Sequence, residues 1–369
     1  MPVSASTIET LARADIRALP LYAPDAISNG VDLSDSVNAW GAPPAALRAV
    51  ADAATEAVSR YPSARSESLA PALLRYLDLQ DVEGVRVVTG CGSDDVLDAT
   101  MRAFGSPGER IAFSTPTFSM IPLFARLNGL VPVAVPFTGD FDLDVEQLVA
   151  ANAKITYLCS PNNPTGTALS RERVEFVASH ASGLVVLDEA YAEFAPETFV
   201  DLVRRQERLF VVRTFSKAFG LAGLRVGYGV GNGDVVGFVE RARGPYKVSV
   251  PAERAANAAL VDADDALGWV RMHAQRAVEI RERVRVALDQ LGLPPLPSAA
   301  NFLCIPTRHA TRLAAQLRER GVLVRCFTGL PGEPRILADA NGSALRVAVG
   351  PWDAMERFLD TLAEVLGCE

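Results

Sequence analysis

The sequence predicts an α/β protein, a large domain built on a mostly parallel sheet flanked by helices, followed by a small α+β domain. Two observations carry that expectation. From about Val85 to Gly231, apolar strand-like runs alternate with helical segments, the pattern of strands joined by crossover helices. Beyond them a long helical region, about Pro251 to Leu291, ends at Gly292-Leu293-Pro294-Pro295-Leu296-Pro297 and gives way to three more strand-like runs with helices between them. A chain of 369 residues with 49% hydrophobic content is long enough to bury a core for each domain.

In chain order, a polar arm is followed by a turn-rich segment from Pro20 to Pro44 and a helix-like stretch from Ala45 to Arg60. Val85-Arg86-Val87-Val88-Thr89-Gly90 reads as a strand that opens through Cys91-Gly92-Ser93-Asp94 into a helix, and such a glycine-rich helix start offers free N–H groups to a phosphate. Ile155-Thr156-Tyr157-Leu158-Cys159-Ser160 runs into Pro161-Asn162-Asn163-Pro164-Thr165-Gly166, a tight non-helical loop carrying amide side chains. Leu184-Val185-Val186-Leu187 ends in Asp188-Glu189-Ala190-Tyr191, a carboxylate followed by a phenol. Leu209-Phe210-Val211-Val212 leads into Arg213-Thr214-Phe215-Ser216-Lys217-Ala218-Phe219-Gly220. The run Gly227-Tyr228-Gly229-Val230-Gly231-Asn232-Gly233 lacks dinucleotide-binding spacing and is expected to be a turn. The last three strands are Asn301–Ile305, Val322–Arg325 and Ala344–Val349.

Lys217 stands out because it is one of only three lysines, with Lys154 and Lys247, in a chain that otherwise uses arginine. Guanidinium stays charged, whereas an amine can be desolvated, lose its proton and attack an aldehyde. Groups at the carboxyl ends of strands face the crevice of a doubly wound sheet, so Asp188 and Lys217 are expected in one pocket. Asp188-Glu189 would also suit a nucleotide-hydrolysing enzyme, but no lysine follows a glycine to form its phosphate loop. Taken singly, Phe118 and Tyr191 read as ordinary core aromatics and Arg225 as a structural ion-pair partner.

Taken in order, Gly92-Ser93-Asp94, Pro116-Thr117-Phe118, Asn162-Asn163-Pro164-Thr165-Gly166, Asp188-Glu189-Ala190-Tyr191, Ser216-Lys217 and a distal arginine resemble the class I/II aminotransferases, fold-type I pyridoxal-phosphate enzymes. The likeness runs from near residue 20 to the C-terminus. It implies pyridoxal 5'-phosphate as cofactor, an amino donor and a 2-oxo acid as substrates, and a homodimer with shared active sites. It also implies residue roles: Lys217 as imine partner of the cofactor aldehyde and proton shuttle in a ping-pong cycle, and Asp188 as partner of the protonated pyridine nitrogen. Asn163 and Tyr191 would bond the phenolic oxygen, and Phe118 would stack on the ring. The phosphate would rest on Gly92, Ser93, Asp94, Thr214, Ser216 and Arg225, reached from the neighbouring subunit by Tyr61. The implied division is residues 1–50 as an arm and part of the small domain, 51–270 as the large domain and 271–369 as the small domain, with an interdomain helix near 251–291.

Within that group the chain resembles the histidinol-phosphate aminotransferase branch. Arg346 matches the arginine that holds the substrate's terminal anion, and an arginine in the apolar run Leu345–Val349 has little reason to be there unless an anion meets it. Tyr22 and Arg325 match further phosphate contacts. The branch's Asn-x-Asn-Pro-aromatic-Gly segment appears here as Ser36-Val37-Asn38-Ala39-Trp40-Gly41, which places Asn38 and Trp40 among the expected substrate contacts. An aromatic amino-acid aminotransferase, a decarboxylase resembling threonine-phosphate decarboxylase and a non-catalytic member of the fold remain as alternatives.

Net charge is −8 and the pI is about 5.2, without a basic cluster, so neither nucleic acid nor an anionic membrane is an expected partner. The five cysteines and three histidines are scattered, with no metal-ligand spacing. No stretch is long enough to span a bilayer and the first ten residues do not read as a signal peptide, so the expected location is the cytoplasm.

Overall fold

The structure, a computed structural model, describes residues 11–19, 21, 26–56, 58–261, 265–331 and 334–367. The larger sheet has seven strands, in the order β2-β8-β7-β6-β5-β3-β4. These are β2 (Val85–Cys91), β3 (Arg110–Thr115), β4 (Val131–Pro136), β5 (Ile155–Cys159), β6 (Leu184–Asp188), β7 (Leu209–Thr214) and β8 (Val226–Asn232). β4, β3, β5, β6 and β7 run parallel, and β8 lies antiparallel to both β7 and β2.

Both faces of this sheet are covered, which is why its central strands read as unbroken apolar runs. Along β6 the side chains alternate between two cores: Leu184 and Val186 join Val88, Ile111 and Phe210 on one face, while Val185 and Leu187 join Leu158, Val211 and Phe215 on the other. Asp188 ends that strand, and the register sets it beside Cys159 of β5 and Val212 of β7. The carboxyl ends of three strands therefore meet at one edge.

The glycine run expected to be a turn is instead the buried strand β8. Its glycines are required by close approach. A Cβ at Gly229 would lie 2.1 Å from the Phe210 ring, and one at Gly227 would lie 2.2 Å from the Ser93 nitrogen. Glycine weakens a strand, and here it lets a helix start and an aromatic ring sit against the backbone.

The expected long helical region is two helices, Val250–Leu260 and Ala266–Gln290. The first is fixed at its start by Ser249, whose hydroxyl accepts from the Ala252 N–H, with a proline in the first turn. The smaller sheet has the order β1-β10-β11-β9, made of β1 (Val31–Leu33), β9 (Phe302–Pro306), β10 (Val322–Phe327) and β11 (Ala344–Ala348). β1 comes from the segment expected to be turns, and three residues are too short for a pattern to show. It pairs parallel to β10, so the N-terminal segment joins the C-terminal sheet. Among the described residues no helix is long and apolar enough to cross a membrane.

Candidate active site

A cavity of about 280 Å³ opens at the carboxyl ends of β5, β6 and β7, against β10 and β11 of the smaller sheet. One end is an anion cradle. Gly92 caps the helix Ser93–Phe104 with φ 82°, a conformation that favours glycine, and a Cβ there would lie 2.5 Å from Arg225 Nη2 and crowd the guanidinium. Arg225 donates to Ser216 Oγ at 3.3 Å and to the Ala222 carbonyl at 3.1 Å, and lies 3.6 Å from Asp94. Its own backbone is left-handed, φ 54° and ψ 62°, uncommon for a residue with a side chain. Thr214 Oγ1 donates to Ser216 Oγ at 3.0 Å. The free N–H groups of the first helical turn, two hydroxyls and a guanidinium converge as an oxyanion needs.

Asp188 stands in the middle of the cavity wall and is 4% exposed. Tyr157 donates to its Oδ2 at 2.9 Å and the Ala190 N–H to its Oδ1 at 3.0 Å. Burial pushes the carboxyl up to about 6, opposed by the Tyr157 bond. Among the described residues no cation pairs with it. Lys217 lies across the cavity with Nζ 5.6 Å from the Tyr191 ring centre. Burial, then the nearby Arg346 charge, brings its amine down to about 8. Burial raises the Tyr191 phenol, and its ring meets Phe302 edge-on at 5.1 Å.

Arg346 and Arg325 close the other end. They are direct partners across the antiparallel pair β10–β11, and both line the cavity. Arg346 donates through Nη1 to Asn163 Oδ1 at 2.7 Å and through Nη2 to the Ser34 carbonyl at 2.6 Å, while its Nε is buried without a partner. Asn162, the other asparagine of the pair, is fully buried and holds the loop, donating to the Pro116 carbonyl at 3.0 Å and Thr165 Oγ1 at 2.8 Å.

Phe118 also borders the cavity, half-buried against the second core. Two expected substrate contacts lie elsewhere. Asn38 does not line the cavity, because its Nδ2 donates to the Ala218 carbonyl at 2.8 Å and its Oδ1 accepts from the Trp40 N–H at 3.0 Å. Trp40 packs on His273 of the helix Ala266–Gln290, ring centres 5.8 Å apart, since so large a ring is better buried against a helix than left at a cavity mouth. Asp35, Val37 and Phe327, none singled out from sequence, line the cavity in their place. Tyr61 is 82% exposed, stacked on Tyr246 at 4.9 Å, and does not line the cavity of its own chain. Tyr22 lies outside the described residues. Tyr157 was also missed, although a phenol in the middle of an apolar strand signals a buried partner.

These residues fit pyridoxal 5'-phosphate. Asp188 is a buried carboxylate without a cation, as a pyridinium nitrogen requires; Lys217 is an amine held with a lowered pKa; and the helix start with Arg225 suits a phosphate dianion.

Comparison with known proteins agrees. The family model "Aminotransferase class I and II" matches residues 28–362. A histidinol-phosphate aminotransferase of Roseiflexus castenholzii is 39% identical over 99% of this chain and 100% of its own, and an aromatic amino acid aminotransferase of Corynebacterium glutamicum is 35% identical over 85% of this chain and 92% of its own. Among solved structures, the histidinol-phosphate aminotransferase of Sinorhizobium meliloti in complex with pyridoxal-5'-phosphate superposes with a TM-score of 0.84 at 26% identity, covering 96% of this chain and 97% of its own. The fold and site define a pyridoxal-phosphate enzyme of fold type I. The chain belongs to the class I and II aminotransferases.

Proposed function

We propose that this chain transfers the amino group of histidinol phosphate to a 2-oxo acid, as a cytoplasmic homodimer with residues 51–270 forming the cofactor domain and residues 1–50 and 271–369 the smaller one. When bound, the cofactor supplies an aldehyde that condenses with amines and a ring that accepts the electron pair released at the substrate carbon. The protein supplies orientation and proton transfer. Lys217 takes the proton from the substrate carbon, for which an amine with a pKa near 8 is suited. Asp188, positioned by Tyr157, holds a proton on the ring nitrogen. Asn163 and Tyr191 would bond the phenolic oxygen, Phe118 would stack on the ring, and Gly92, Ser93, Asp94, Thr214, Ser216 and Arg225 would hold the phosphate. Tyr61 reaches the site of the other subunit.

The observation that carries the substrate assignment is the pairing of Arg325 and Arg346. Like charges directly opposite on neighbouring strands repel, and a dianion between them reverses the sign of the interaction. Histidinol phosphate brings such a group, and its relatives by that name cover nearly the whole chain. Phe327, whose ring centre lies 5.7 Å from the Arg346 guanidinium, favours a second reading as an aromatic amino-acid aminotransferase. Specificity constants for histidinol phosphate, phenylalanine and threonine phosphate, with carbon dioxide release followed in parallel, separate the readings. Histidinol phosphate should be the best donor and should lose most in Arg325→Ala. Equal losses for all three would remove the phosphate role, and release of carbon dioxide from threonine phosphate would make the enzyme a decarboxylase.

A further inference from the structure

The helix Ala266–Gln290 buries a stripe at Val270, His273, Ala274, Ala277, Arg281, Val284 and Leu288, spaced by three and four residues as a core-facing helix requires. An arginine occupies one of those positions. Arg281 is 7% exposed, its Nη1 donates to the Ala300 carbonyl at 2.7 Å, and its Nε is buried without a partner. Among the described residues no carboxylate pairs with it, and the adjacent Glu282 is taken by Arg285 at 2.8 Å. Burial lowers its pKa from the usual value. A buried guanidinium with unmet donors is costly, and such groups are retained where something pairs with them.

Arg281 borders a cleft of about 620 Å³, larger than the catalytic cavity and separate from it. Its walls are mainly apolar: Leu267, Val270 and Val278 from the helix, Phe194 and Pro196 from the segment after Tyr191. Arg271 lies at the same cleft, and so does one carboxylate, Glu193. That carboxylate is already engaged, accepting from Tyr76 at 3.2 Å and lying 4.0 Å from Arg213.

We propose that this cleft is a second ligand site that takes a small monocarboxylate with an apolar body, the carboxylate against Arg281 and the body against Val270, Val278 and Phe194. A planar guanidinium matches a carboxylate in a two-point contact. The Glu193 charge on the same walls opposes a second negative charge, which selects a monoanion over a phosphate dianion. Apolar lining with a few placed polar groups is the usual form of a small-molecule site.

The cleft shares no lining residue with the catalytic cavity but is joined to it through chain neighbours. Glu193 and Phe194 follow Tyr191 by two and three residues, and the carbonyl that Arg281 holds belongs to Ala300, two residues before Phe302. The Phe302 ring meets Tyr191 at 5.1 Å, and the Arg346 guanidinium lies 5.3 Å from its centre. A ligand that repositions Arg281 therefore acts on two residues of the catalytic cavity, and substrate must alter that ligand's affinity by the same factor.

The probe is 3-phenylpropionate, titrated calorimetrically into the cofactor-loaded enzyme. Arg346 also attracts carboxylates, so the titration is repeated in Arg346→Ala, Arg281→Met and Val278→Trp, the last filling the cleft without touching a charge. The wild type should show two sites per chain. Arg346→Ala should keep one, and the two cleft variants should each lose that one by tenfold or more while keeping the absorbance of bound cofactor. Should Arg281→Met fail to fold, Val278→Trp decides alone. The proposal is overturned if Arg346→Ala abolishes all binding, if Val278→Trp still shows two sites, or if inorganic phosphate displaces the probe from the cleft at lower concentration than benzoate does.

Discussion

Arg346, on the smaller sheet, donates through Nη1 to Asn163 Oδ1 at 2.7 Å, across to the loop that follows β5 of the larger sheet. One guanidinium thus ties the two sheets together at the cavity, and its Nε is buried without a partner. Arg346→Lys should be nearly as damaging as Arg346→Ala, because an ammonium cannot serve Asn163, the Ser34 carbonyl and a substrate anion in one plane. Each should raise KM for both donor and 2-oxo acid by tenfold or more, the scale of a charge-assisted bond worth ~1.5 to 3 kcal/mol. An unchanged KM for the 2-oxo acid would place the anion contact elsewhere.

Lys217 should be indispensable, with neither Ala nor Arg sustaining turnover. Its amine pKa of about 8 lies below the ordinary lysine value, so the folded protein disfavours the charged form. In cofactor-free protein the rate of cofactor capture should climb with pH up to about 8 and then level off. The same shift makes the charged amine a liability to folding that is fully present below about 8 and relieved as pH rises toward the unfolded value. Cofactor-free Lys217→Met should accordingly be more stable than wild type at pH 7, by a margin that closes toward pH 10.5.

Asp188 shows the opposite side of that linkage. Its folded pKa of about 6 exceeds the unfolded value, so its charge costs stability as pH rises through 6. Asp188→Asn should stabilise the cofactor-free protein at pH 7 yet slow catalysis by orders of magnitude, about 3 kcal/mol or more for a lost preorganised charge. Tyr157→Phe removes the bond that favours the ionised form, which should move the acid limb of the pH–rate profile upward. An acid limb that stays in place in Tyr157→Phe would dissociate the limb from Asp188.

Gly227 bears directly on the anion cradle. With a Cβ 2.2 Å from the Ser93 nitrogen, Gly227→Ala must displace the helix start that forms the cradle. The expected cost is ~1 to 3 kcal/mol of stability, as for an overpacked core, with weaker retention of the cofactor phosphate during dialysis. Wild-type retention would show that the helix start does not hold the phosphate.

Tyr61, exposed and stacked on Tyr246, is the residue through which subunits should share a site. Inactive Lys217→Ala mixed and re-equilibrated with an inactive Tyr61→Ala should recover part of the activity, since one hybrid site carries both native residues. A monomer active at assay concentration would refute shared sites.

The sequence by itself determined the order of strand ends and the chemistry each carries. Lys217, Asp188 and the Gly92-Ser93 helix start were legible because a strand running into a loop is a local event, and because one of only three lysines is conspicuous in a chain of arginines. Tertiary structure decided which way neighbouring side chains face. Asn162 is buried in its loop and Asn163 meets Arg346; Asn38 and Trp40 are drawn onto Ala218 and His273; and Gly227 to Asn232 forms a strand instead of a turn. Those outcomes depend on register and on what packs opposite, a partner 183 residues away in the case of Arg346 and Asn163. Local pattern does not hold that information, because the energy that selects one facing over the other comes from contacts formed only when distant segments meet.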